Sequence, residues 1–353
     1  MQTIEIKDLE APELTVFSKL KEVQLYRYYE PEPGIFLAES ANVTLRALEA
    51  GYEPLSMLAE KEKFDKECRP VLEKITEIYG KEKTESIPVY VADHEIVENL
   101  TGYALVKGLW TVFRRKKVQG LEEFCLGKKR LAVLYDVVNP TNVGAIIRSA
   151  AALGADGAVL THTSVDPLTR RSSRVSMGTV FQIPWTVTGK EESRGTALID
   201  RLHGMGFKTV AMALTENSYS VRDKEIKNSE KLAIILGNEG FGLPEEIINS
   251  CTYHVMIPMY NGVDSLNVAA ASAVAFWELI GSEPVSFPRR IYRSGEHERS
   301  EDAGDDVGDT YIERKTYRRV KQIRGSDERV ENKRNGGHPR ELRLAGTHKV
   351  NKD

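Results

Sequence analysis

Cysteine is scarce in this chain: Cys68, Cys125 and Cys251 stand far apart among 353 residues, with no C-x-x-C between them. That set supports neither a disulfide framework nor a zinc knuckle, and the seven histidines form no ligand cluster. No metal is expected. Also missing is any apolar run of roughly 18 residues or more, the length a membrane-crossing helix needs. The opening MQTIEIKDLEAPEL carries acids where a signal peptide would place basic and then apolar residues. These absences predict a cytoplasmic protein with no membrane partner. The phosphate-loop ending G-K-[ST] is absent as well, which removes the commonest nucleoside-triphosphate site.

What is present is ordinary for a folded, soluble chain long enough for two domains: 41% hydrophobic and 29% charged residues. The net charge of -3 hides an uneven distribution. Residues 289–353 hold 17 Lys and Arg against 13 Asp and Glu, a surplus of +4, so the preceding residues carry -7. Global charge therefore says little about nucleic acid, and attention falls on two local basic runs, Arg114-Arg115-Lys116-Lys117 and Arg170-Arg171-Ser172-Ser173-Arg174. A basic run is most often a solvated loop.

Apolar stretches alternate with helical patterns from residue 35 onward. Strands are predicted at 35–38, 55–58 and 87–91. Between them lie helices at 39–50, with Ser40 as N-cap, and 64–79; a third, capped by Asp93, stops near Gly102. This predicts a small α/β domain over 1–110. The pattern lapses between 107 and 129, so 111–129 is expected to be a linker. A second α/β series fills 130–284, and its runs LAVLY and LAIIL are apolar without alternation, as in parallel strands covered on both faces. The predicted fold class is α/β with a parallel sheet. Residues 285–353 are rich in Arg, Glu, Asp and Gly with isolated apolar residues, a composition that predicts a charged, largely disordered tail.

Three loops in the second series carry unusual residues. In LYDVVNPTNVGAIIRSAAALGADGAVL (134–160), a strand ends at Asp136, and Thr141 or Asn142 occupies the expected helix N-cap. Gly144 permits close approach to the first turn. Arg148 follows Asn142 by about 9 Å along the axis at ~1.5 Å per residue. It is the single charge in AIIRSAAAL, which points to a phosphate or carboxylate partner. LAIILGNEGFGLPEEI (232–247) breaks a strand into three glycines within six residues. IPMYNGVDSLNVAAASAVAFWEL (257–279) feeds a polar loop into an Ala-rich helix. All three follow strands whose carboxyl ends share one sheet edge, where open α/β sheets bind ligands.

The motifs N-P-x-N-x-G-x-x-x-R at 139–148, G-N-E-G-x-G-L at 237–243 and I-P-M-x-x-G-x-x-S-L-N-V at 257–268 together resemble the ordered motifs of the SpoU (TrmH-type) RNA 2′-O-ribose methyltransferases, within the SPOUT superfamily. The resemblance covers about residues 130–280. Residues 1–110 resemble more weakly the L30e-like RNA-binding domain often fused to them. The family implies S-adenosyl-L-methionine as methyl donor, rRNA or tRNA as substrate, a deep trefoil knot and a homodimer whose site draws on both subunits. Carried over by motif, the catalytic set is Asn142, Arg148, Glu239, Ser265 and Asn267. Backbone near Leu214, Gly237, Ile257 and Leu266 is expected to hold the cofactor, and 165–184 to form a substrate-facing stretch. Arg148 is expected to orient a phosphate and stabilise a developing alkoxide, with Asn142 orienting Arg148 or the ribose; a guanidinium pKa above ~12 opposes a role as base. Two other readings remain: a SPOUT base methyltransferase, and an RNA-binding module without catalysis.

Overall fold

The computed structural model describes residues 3–6, 11–30, 32–101 and 108–281. The expected tail and the end of the third helix near Gly102 lie outside these residues. In the first part, β1 (Thr3–Glu5), β2 (Ile35–Glu39), β3 (Pro54–Glu60), β4 (Val89–Ala92) and β5 (Leu109–Arg114) build one sheet in the order β1-β4-β3-β5-β2. β5 runs antiparallel to both its neighbours, and β1, β4 and β3 are parallel. Ser40 caps the Ala41–Glu49 helix, its hydroxyl accepting from the Val43 N–H.

The 107–129 region differs from the sequence expectation. It contains β5, which carries the first sheet past residue 110 and begins the basic run inside a strand. The cause is visible in LWTVFR: Leu109 and Phe113 join the apolar cluster on one face of the sheet, while Trp110 and Val112 join the cluster on the other. That is the alternation of a strand buried on both sides, and the arginines that follow it conceal it.

The second part is a seven-stranded, wholly parallel sheet of β6 (Arg130–Leu134), β7 (Gly157–Leu160), β8 (Trp185–Val187), β9 (Lys208–Met212), β10 (Tyr219–Ser220), β11 (Leu232–Leu236) and β12 (Tyr253–Met256). Its order is β10-β12-β9-β11-β6-β7-β8. Central strands divide their side chains between two cores. Ala132, Leu134, Ile234 and Leu236 cluster with Ile146, Ile147, Phe276 and Leu279, from the Pro140–Ala152 and Val268–Leu279 helices. Leu131, Val133, Ala233 and Ile235 cluster with Leu198, Ile199 and Leu202 on the Ala197–Gly204 helix. Two apolar faces explain why the sequence shows no alternation there. β8 and β10, three and two residues long, are too short to show a period of their own.

The two sheets meet along the 165–184 segment. Phe181 lies 5.6 Å from Phe36 and 5.4 Å from Tyr52. Arg174 donates to Glu39 at 2.9 Å, and Arg170 pairs with Glu22 at 3.2 Å. Arg171 donates to the Thr141 hydroxyl at 2.9 Å. The arginines expected to face a substrate thus have partners within the chain. No described helix is long and apolar enough to cross a membrane.

Candidate active site

β6 ends at Leu134, and two residues later Asp136 takes a left-handed conformation, φ 55°, unusual for a side chain other than glycine. Its geometry is held from three directions. The Asp136 N–H donates to the Thr161 hydroxyl at 2.9 Å, that hydroxyl donates back to the carboxylate at 3.0 Å, and the Asn238 amide donates to the Asp136 carbonyl at 2.9 Å. The chain then enters the Pro140–Ala152 helix. Its N-cap is Asn139, whose side chain accepts from the Thr141 N–H at 2.8 Å, with Pro140 in the first turn. The cap lies two or three residues earlier than the sequence suggests, so Asn142 stands inside the first turn and its side chain is free to reach other loops.

Those loops are the ones carrying the second and third motifs. The Asn142 amide donates to Glu239 at 3.0 Å and its oxygen accepts from the Asn267 amide at 3.2 Å. Glu239 also accepts from the backbone N–H groups of Val138 at 3.2 Å and Asn139 at 3.0 Å. Asn267 is in turn the N-cap of the Val268–Leu279 helix, accepting from the Ala269 N–H at 3.0 Å. One cluster of three side chains therefore ties the three loops together at the carboxyl edge of β6, β11 and β12. Partial burial pushes the Glu239 carboxyl up. The bonds from Asn142 and from the Glu239, Asn139 and Val138 backbone outweigh it and hold the group below its ordinary 4.5.

The remaining predicted residues lie elsewhere. Arg148 is exposed, and among the described residues it has neither a hydrogen bond nor an ion pair. No hydrogen bond links it to Asn142, whose amide donates to Glu239 and accepts from Asn267. Ser265 lines a separate cleft of about 140 Å³ together with Leu214, Ile257 and Leu266. Met212, Met259 and Ala271 add apolar wall, and Asp264 is the one carboxylate of the lining. Gly237 is not part of that lining. A Cβ on it would come within 2.6 Å of the Gly242 backbone, so its place is the tight closure of the 237–243 loop, where Asn238 and Gly242 pair. Gly144 has a similar reason: a Cβ there would lie 2.5 Å from the Ser172 carbonyl oxygen, where the Arg170–Val175 helix crosses. Among the described residues, no three His, Cys, Asp or Glu gather as a metal site.

Sequence reasoning passed over Asp136, Asn139 and Asn238, which set the geometry of the edge. Their signal was a short polar residue at each strand-to-loop junction, and the pairing of Asn238 with Asp136 is invisible without the fold.

Residues 129–277 match the SpoU rRNA Methylase family. The chain is 29% identical over 275 residues, 78% of its length and 90% of the relative's, to an uncharacterized tRNA/rRNA methyltransferase of Mycobacterium bovis. It is 32% identical over 157 residues, 44% of its length and 60% of the relative's, to the 23S rRNA (guanosine(2553)-2′-O)-methyltransferase of Bacillus subtilis. The solved AdoMet-bound rRNA methyltransferase from Sinorhizobium meliloti has the same fold, with TM-score 0.63 at 24% identity; the match covers 79% of this chain and 98% of that one.

Proposed function

We infer that this chain transfers a methyl group from S-adenosyl-L-methionine to a ribose 2′-hydroxyl of rRNA or tRNA, a reading supported by the match of residues 129–277 to the SpoU rRNA Methylase family. The observation that carries the reading is the convergence of Asn142, Glu239 and Asn267, one from each motif, beside a cleft formed by the third.

That cleft fits the cofactor in kind. Met212, Leu214, Met259 and Leu266 suit an adenosyl group, and the Asp264 carboxylate suits a cationic centre. At about 140 Å³ it is smaller than the roughly 300–1,000 Å³ usual for such ligands, so part of the bound molecule stays in solvent. Leu214, Ile257 and Leu266 line it, and Gly237 acts at one remove by closing the neighbouring loop. When bound, S-adenosyl-L-methionine would supply an electrophilic methyl on a sulfonium; the O–CH₃ bond would form as the S–CH₃ bond breaks, leaving a neutral thioether, with the hydroxyl proton passing to water.

The chain's own work is positioning. Glu239 fixes the turn before the Pro140–Ala152 helix by accepting from two of its N–H groups. Asn142 and Asn267 fix the third loop against the first. Ser265, at the cleft, is placed to contact the ligand. Arg148 has no hydrogen-bond or ion-pair partner among the described residues and sits on a helix packed against Val268–Leu279, whose Trp277 is 65% exposed. This supports a homodimer in which Arg148 serves the second subunit's site. There it orients the substrate phosphate and stabilises the developing alkoxide. The proposal includes the trefoil knot. β12 lies beyond β9 and β11 from β6, yet the chain after it returns to bond Asn142 on the helix that follows β6, the kind of crossing a knot requires. It also includes an L30e-like, RNA-binding role for the five-stranded sheet, and the cytoplasm as the place of work.

Tritium from methyl-labelled S-adenosyl-L-methionine should enter RNA extracted from a strain lacking the gene, and alkaline hydrolysis should leave it in dinucleotides, since a 2′-O-methyl blocks cleavage. Label released in mononucleotides would mean base methylation, and no incorporation would reject catalysis.

A further inference from the structure

A second cavity, of about 480 Å³, lies on the seam between the two sheets, well within the range of small-molecule sites. Its walls combine the Tyr26 and Trp185 rings with Arg27, Arg115, Lys117 and Asp166. The inner polar groups are already arranged. Arg115, 7% exposed, pairs with Asp166 at 2.7 Å, donates from Nε to the Ile35 carbonyl at 3.0 Å and stacks under the Tyr26 ring at 4.9 Å. Gly34 lies so close to the Leu25 and Tyr26 carbonyls that a Cβ there would overlap them, so the Tyr26 turn packs directly on the entry to β2. Tyr26 is nonetheless 56% exposed, with Tyr28 and Tyr29 exposed beside it and Arg114 stacked on Tyr29 at 4.8 Å.

Charge chooses between possible occupants. Lys116, Glu30 and Glu32 also line the cavity, so four cations face three carboxylates; Lys117 lies 3.9 Å from Glu32, and Arg115 is neutralised by Asp166. The net positive charge is therefore small, too small for a polyanion such as a duplex backbone. Exposed rings beside a fixed guanidinium–carboxylate pair suit one planar base, with Arg27 and Lys117 at the rim for its phosphate. Position adds to this. Val165, adjacent to Asp166, donates its N–H to the Val137 carbonyl at 3.0 Å, and the next residue, Val138, donates to Glu239. The cavity wall and the methyl-transfer edge are thus one backbone hydrogen bond apart.

We propose that this seam cavity holds an unpaired nucleotide of the RNA substrate, its base stacked on Tyr26, and so places a neighbouring ribose at the Asn142–Glu239–Asn267 edge. The proposal rests on the RNA-substrate reading and can fail independently of it. The probe is a short single-stranded RNA carrying 2-aminopurine, whose fluorescence falls on stacking. Wild-type protein and Tyr26→Phe quench it; Tyr26→Ala does not. Arg27→Ala with Lys117→Ala binds it about tenfold more weakly, with the larger deficit at low salt. With RNA from the gene-lacking strain, Tyr26→Ala raises KM about tenfold at nearly unchanged kcat. No quenching by the wild type, or equal quenching by Tyr26→Ala, overturns the cavity assignment whatever the methylation assay gives. Quenching that depends on Tyr26 without any methyl transfer leaves the cavity standing and removes the catalytic reading.

Discussion

Catalysis is expected to depend most on Arg148, which is charged, exposed and without a partner among the described residues, on a helix whose other members are small or apolar. If its contribution is electrostatic, Arg148→Ala should lower single-turnover methyl transfer by about a hundredfold, the usual loss for one preorganised donor. Arg148→Lys keeps the charge without the planar fork and should fall between the two. Calorimetric affinity for S-adenosyl-L-methionine should match the wild type in both, and near-normal transfer by Arg148→Ala would exclude it from the mechanism. Glu239 gives a pH signature. Its folded pKa lies below the ordinary 4.5, so its stabilising contribution is complete above 4.5 and is lost as pH falls through the folded value. The gap in melting temperature between wild type and Glu239→Gln should therefore narrow from pH 7 into the acid range, and a constant gap would contradict the hydrogen-bonded carboxylate. Burial pushes the Cys68 thiol up to about 12 and Cys125 and Cys251 to about 11. An aromatic disulfide reagent at pH 8 should find these thiols unreactive until denaturant is added.

At the scale of elements, the parallel strands and the three motif loops were legible because their physics is local: continuous apolar runs, then glycine, then short polar residues at helix starts. What was not legible depended on pairing across the chain. β5 was hidden because the arginines after LWTVF read as a loop, and only its place between β3 and β2 gives both faces of the run a core. Convergence of Asn142 with Glu239 and Asn267 spans 97 and 125 residues, distances no spacing rule covers. The family resemblance named those residues, but their bonding follows from the loops' shared sheet edge. Gly144 was legible as a close approach, though not what approaches it. Gly144→Ala must displace the Ser172 backbone and should destabilise by about 1–3 kcal/mol, read as a lowered denaturation midpoint at unchanged slope. An unaffected midpoint would mean the Arg170–Val175 helix yields freely.

The whole molecule joins its two sheets through side chains that the sequence offered as RNA contacts. Arg115, Arg170 and Arg174 pair with Asp166, Glu22 and Glu39, and this seam could not be foreseen because each pair is assembled from distant segments. The surface left for RNA is correspondingly smaller and more aromatic than the basic runs imply. The three motif loops lie within residues 134–281, so a chain ending at 284 should keep its melting temperature and cofactor affinity; aggregation on truncation would place the later residues in the fold. Ribose 2′-O-methylation is tested most directly by a map of alkali-resistant positions across rRNA and tRNA from a strain lacking the gene. At least one 2′-O-methyl position should disappear, return with the wild-type gene and stay absent with the Arg148→Ala gene. A map identical to that of the parent strain, or the loss of a base methyl alone, would contradict it.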